Sequence, residues 1–139
     1  METAFTYVAL SAVLCVLLWA PYIAARAFVV WGLPAFLRNY PDGYPTTAPA
    51  QPPWAERAQR AHLNLVETLP AFVGAVVAAS FLAEGVVAQA SVASWAAIFF
   101  WARLAHAVVY TAGIPYLRTP IYLVSWAAIL AIAGVAVTS

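Results

Sequence analysis

Four polar side chains, two of them cationic, recur at helical spacing between Trp54 and Phe72: Arg57, Arg60, Asn64 and Glu67. Spaced three, four and three residues apart, they fall within an arc of roughly 80° on a helix that turns about 100° per residue. They make one stripe, with His62 off it. A second set, Arg103, His106 and Tyr110, repeats the three-then-four spacing within FWARLAHAVVYTAG. Guanidinium forks grip carboxylates through paired hydrogen bonds. Glu67 neutralises one of Arg57, Arg60 and Arg103, so a cluster of these groups keeps excess positive charge. Such a site attracts a small anion, offers Glu67 to an amine, and favours thiolate over thiol in a bound sulfhydryl. The opposing reading is a buried salt-bridge network that only holds helices together, which polar residues inside membranes also do.

The rest of the chain says where those stripes sit. Of its 139 residues, 65% are hydrophobic and 8% charged, with a mean hydropathy of +0.87. Soluble domains carry about 25% charged residues, so this chain cannot clothe a water-facing globule and reads as an all-α integral membrane protein. Its length allows three or four helices of about 20 residues. A net charge of +1 without a lysine argues against nucleic acid as a partner. The single cysteine, Cys15, rules out an internal disulfide and reads as packing rather than as a nucleophile. No metal is expected. The N-terminus lacks the basic stretch and cleavage site of a signal peptide, so the first helix reads as retained.

The apolar segments predict one domain of four transmembrane helices, over about 4–33, 54–84, 88–112 and 119–138. Pro21 is expected to bend or interrupt the first helix. Arg26, near its end, either snorkels to the headgroups or joins the site. Residues 34–53 hold six of the ten prolines, so they cannot propagate a helix and form a long loop, either a lid or a disordered linker. Pro53 suits a helix start and Trp54 the interfacial aromatic belt. Pro70 predicts a kink beside the first stripe, and Glu84-Gly85 a turn at the far membrane face. Arg38 and Arg118 fall in the first and third loops, beside Arg57 and Arg60. The N-terminal stretch, the second loop and the C-terminus carry no Lys or Arg. By the positive-inside rule the termini are non-cytoplasmic and the proline-rich loop cytoplasmic. The first stripe then occupies the cytoplasmic half of the second helix, and the second stripe the cytoplasmic half of the third. Both are expected at one depth, with Arg118 nearby.

The segment ERAQRAHLNLVETLPAF resembles the hallmark of the MAPEG family, the membrane-associated proteins of eicosanoid and glutathione metabolism. Glu56, Arg57, Arg60, Ala61, Asn64 and Glu67 match that family's E-R-x-x-R-A-x-x-N-x-x-E core. Arg103, His106 and Tyr110 match its third-helix pattern, followed by LRTP. The resemblance implies a four-helix protomer assembled as a homotrimer, with glutathione as co-substrate bound between protomers near the cytoplasmic face. By position, Arg57, Asn64 and Glu67 would hold the tripeptide's carboxylates and amine, with Arg60 in the same network. Arg103, Tyr110 and His106 would contribute from the neighbour or support the site. Catalytic members place an arginine on the sulfur at the start of the fourth helix. Here that role falls to Arg118, with Tyr110 beside it, or its counterpart is Tyr122 and no cation touches the sulfur.

These observations favour a membrane-bound, glutathione-dependent transferase or peroxidase acting on lipophilic electrophiles or lipid hydroperoxides dissolved in the bilayer. The main alternative is a non-catalytic trimeric scaffold or lipid-binding protein. A small transporter with Glu67 as a proton-coupled site is disfavoured by the arginines around that carboxylate.

Overall fold

In the computed structural model, residues 1–38 and 50–139 are described. Helix α1 covers Glu2–Ala25 and widens into a π-helical turn over Arg26–Val30. A single short helical turn, α2, follows at Leu33–Leu37; α3 spans Pro53–Leu82, α4 Gly85–Ala112 and α5 Arg118–Thr138. No strand occurs among the described residues. Four of the helical segments are long and apolar enough to cross a membrane, and a backbone that satisfies its own hydrogen bonds is what such a medium demands.

The boundaries follow from local chemistry. Pro21 lies inside α1 without ending it; the departure from α geometry comes further on, where the Trp31 N–H reaches back to the Arg26 carbonyl at 3.1 Å. Gly32, at φ +75°, then turns the chain into α2, whose second residue is Pro34. The first helical segment therefore stops at Val30, short of the expected end near residue 33, and part of the expected loop is helical. The rest of that loop, including the question of a lid or a linker, lies at 39–49, outside the described residues. Pro53 opens α3, with the Pro52 carbonyl accepting the N–H groups of Ala55 and Glu56 at 2.8 and 3.2 Å. Helix α3 continues through Pro70. Helix α4 closes at Gly113, in the left-handed region at φ +75°. The Ile114 and Gly113 N–H groups return to the Val109 and Tyr110 carbonyls at 3.1 and 3.0 Å, the double bond pattern that satisfies the last carbonyls of a helix.

The core lies between α1, α3, α4 and α5. Phe72 of α3 and Phe99 of α4 stack at 3.9 Å between ring centroids. Ala79, Val92, Ala96, Ala128 and Ile132 are fully enclosed with them. Small side chains let helix axes approach closely where water supplies no driving force. The opposite faces carry exposed Val16, Leu17, Phe28, Phe81, Val86 and Val87, apolar surface suited to lipid.

Candidate functional site

The polar residues of α3, α4 and α5 surround two adjoining cavities at the end of the bundle where α3 begins and α4 ends. The outer cavity, of about 760 Å³, is lined by Glu56, Arg57 and Arg60 of α3, Tyr110 and Gly113 at the end of α4, and Arg118 and Thr119 of α5. The inner one, of about 460 Å³, shares Arg60, Tyr110, Arg118 and Thr119 and adds Asn64, His106 and Tyr122. Three guanidinium groups face a single carboxylate, Glu56, in the outer cavity. That imbalance in an apolar setting favours an anionic guest.

Arg57 is the most constrained of the three. Its Nε donates to the Thr111 carbonyl at 3.0 Å, and its guanidinium lies 3.0–3.3 Å from where a Cβ on Gly113 would be. The left-handed backbone favours glycine there, and a Cβ would oblige the guanidinium to shift by a few tenths of an ångström. A cation against the exposed carbonyls of a helix C-terminus is also electrostatically favourable. Arg57 thus pins α3 to the end of α4 while still lining the outer cavity. Arg60, by contrast, is exposed and lines both cavities. Arg118 places its guanidinium 5.5 Å from the Tyr110 ring centroid, a cation–π distance.

Arg103 and Glu67 are placed differently from expectation. Arg103 precedes Tyr110 by seven residues, so it lies about 10 Å further along α4, and it lines neither cavity. Arg57 reaches the carbonyl of Thr111, about 12 Å along α4 from Arg103, so these two arginines do not share one level: spacing specifies the face of a helix, while depth depends on how the partner helix lies against it. Arg103 is 1% exposed, and none of its three side-chain nitrogens has a hydrogen-bond partner. Its guanidinium packs against the Tyr122 ring at 5.3 Å. Glu67 is exposed, one turn beyond Asn64, and lines neither cavity. It acts on Arg103 through space, without a hydrogen bond between them.

His106 is 2% exposed; its ring lies 5.4 Å from that of Tyr110 and 5.6 Å from that of Tyr122. Its Nδ1 has no partner. The Tyr122 oxygen accepts the Trp126 Nε1–H at 3.1 Å. Trp126, Gly113 and Thr119 were not among the candidates drawn from the sequence, and Glu56 entered there only through its match to the family hallmark. The four-residue step from Tyr122 to Trp126 was a readable signal, because side chains so spaced meet on a helix.

A separate polar group joins α1 to α3. The Tyr22 hydroxyl and His62 Nδ1 are 3.0 Å apart, and Cys15 Sγ lies 3.8 Å from His62 Nε2. Cys15 is thus a helix contact, and His62 faces away from the cavities. Arg26 donates to Gln59 Oε1 at 3.2 Å and lies 5.8 Å from the Tyr22 ring centroid, so it is directed at α3.

The MAPEG family model matches residues 3–138, nearly the whole chain. The chain belongs to the MAPEG family. No curated protein matches it. The family includes glutathione transferases, peroxidases and eicosanoid synthases. In this MAPEG chain, four helices able to span a membrane make a multi-pass membrane protein.

Proposed function

We propose that this MAPEG protein is a membrane-bound transferase or peroxidase that uses glutathione against lipophilic electrophiles or lipid hydroperoxides, working as a homotrimer with its site toward the cytoplasm. The observation that carries this reading is the outer cavity, where Arg57, Arg60 and Arg118 outnumber Glu56 and which adjoins a smaller chamber lined by an imidazole and two phenols.

In this reading Arg60 and Arg118 grip the tripeptide's carboxylates, while Glu56, or Glu67 at a subunit contact, receives its amine. Asn64 offers an amide to the peptide backbone. The sulfur is directed into the inner cavity, where Arg118 and Tyr122 both supply donors. A thiolate held there attacks an electrophilic carbon, forming a C–S bond as the leaving group departs with its electron pair. With a hydroperoxide, attack on the O–O bond releases an alcohol, and a second glutathione completes a disulfide with loss of water. Positioning and electrostatic stabilisation supply the acceleration. Lipid-facing helices would deliver the acceptor from the bilayer.

Calorimetry with glutathione on detergent-purified protein, followed by conjugation of chlorodinitrobenzene, tests this directly. Binding and turnover support the enzyme. Absence of both favours the second reading, a non-catalytic scaffold, for which the engagement of Arg57 with the α4 backbone is the specific support.

A further inference from the structure

We infer that Tyr122, backed by Trp126 and Arg103, is the group that hydrogen-bonds the reacting sulfur, so that the chain activates its thiol through a polarised phenol. This rests on the glutathione-dependent reading above and chooses between Arg118 and Tyr122.

Three placements carry it. The Tyr122 oxygen accepts the Trp126 indole N–H at 3.1 Å. Trp126 does not line the inner cavity, whereas Tyr122 does. The oxygen's acceptor capacity is therefore used from behind, and its own proton is left to donate into the chamber. An indole N–H in an apolar medium needs an acceptor, and hydrogen bonds linked in series at low dielectric reinforce one another. From one face of the ring, the Arg103 guanidinium approaches at 5.3 Å. All of its nitrogens are without acceptors, and it is 1% exposed. A positive charge with no carboxylate bonded to it withdraws electron density from the phenol and makes its O–H a stronger donor to an anion.

Arg118 is less suited to the sulfur. It lies on the boundary shared by both cavities and stacks on Tyr110, where it meets a carboxylate entering from outside. The division gives Arg118 to binding and Tyr122 to the chemistry. Trp126 and Arg103 are positioning residues, since they act on the sulfur only through the phenol.

The test is a pH titration of the thiolate's ultraviolet absorbance with glutathione bound to the purified, detergent-solubilised protein, alongside steady-state kinetics. The wild type should show a midpoint below the ordinary thiol value of about 8.5. Tyr122→Phe should raise the midpoint by about one unit and lower kcat about tenfold, with KM for glutathione changed less than about twofold. Trp126→Phe, which keeps an aromatic ring but removes the N–H, should raise the midpoint about half as far, and Trp126→His should recover part of that. Glutathione that still binds Tyr122→Phe with an unchanged midpoint overturns the inference and gives the sulfur to Arg118. A Trp126→Phe midpoint equal to wild type overturns the part assigned to the indole. Failure of the wild type to bind glutathione by calorimetry removes the underlying reading, and this inference with it.

Discussion

The two polar regions of this bundle use the same residue types to opposite effect. Between α1 and α3, Tyr22 meets His62, His62 meets Cys15 and Arg26 meets Gln59, each group finding its partner within the chain. Among α3, α4 and α5, the nitrogens of Arg103 and the Nδ1 of His106 have none, and Arg60 lines both cavities. Intramembrane polar groups serve either as glue or as sites, and satisfaction tells the two apart. A side of the bundle that completes its own hydrogen bonds orders helices. A side that leaves guanidinium groups open waits for something to complete it.

Mutations of the open side's uncommitted cations should therefore alter binding, whereas those on the closed side, and at the contact that pins α3 to α4, should alter stability. The largest effect expected is from Arg60→Ala, which should weaken glutathione binding by about 10–100-fold in calorimetry. A loss confined to thermal stability would erase the distinction. Gly113→Ala comes next, at about 2 kcal/mol of destabilisation, because it strains the backbone and drives a methyl into Arg57; thermal unfolding in detergent measures it, and relief by the double substitution with Arg57→Ala would assign the clash. Tyr22→Phe should cost about 1 kcal/mol by removing the hydroxyl that pairs with His62 Nδ1, with glutathione affinity unchanged. Altered affinity there would mean that the closed side reaches the site. Smallest of all, Cys15→Ala should leave conjugation intact. Cys15 is the chain's sole cysteine, so a drop in turnover with thermal stability unchanged would mean that the chain itself supplies a thiol.

The long apolar runs made the four spanning helices legible, and Gly113 and Pro53 marked two of their ends. What eluded the sequence was depth. Arg57, Arg60 and Asn64 line the cavities, yet Glu67 lines neither, and Arg57 meets α4 at Thr111 and not at the level of Arg103. A three-four spacing carries no information about how far one helix has slid along its neighbour. The bond from Arg57 to Thr111 joins residues 54 apart in sequence, and no local pattern announces it. The widening at Arg26–Val30 likewise has no signature in RAFVV, because the proline expected to disturb α1 sits a full turn earlier.

The fit of Arg57 against Gly113 has a mechanical consequence. Alanine-lined helix faces are smooth and offer little resistance to lengthwise slippage, whereas the Arg57 guanidinium, bonded to the Thr111 carbonyl and seated against Gly113, acts as a key in its slot. One such notch fixes how high α3 rides against the hairpin formed by α4 and α5.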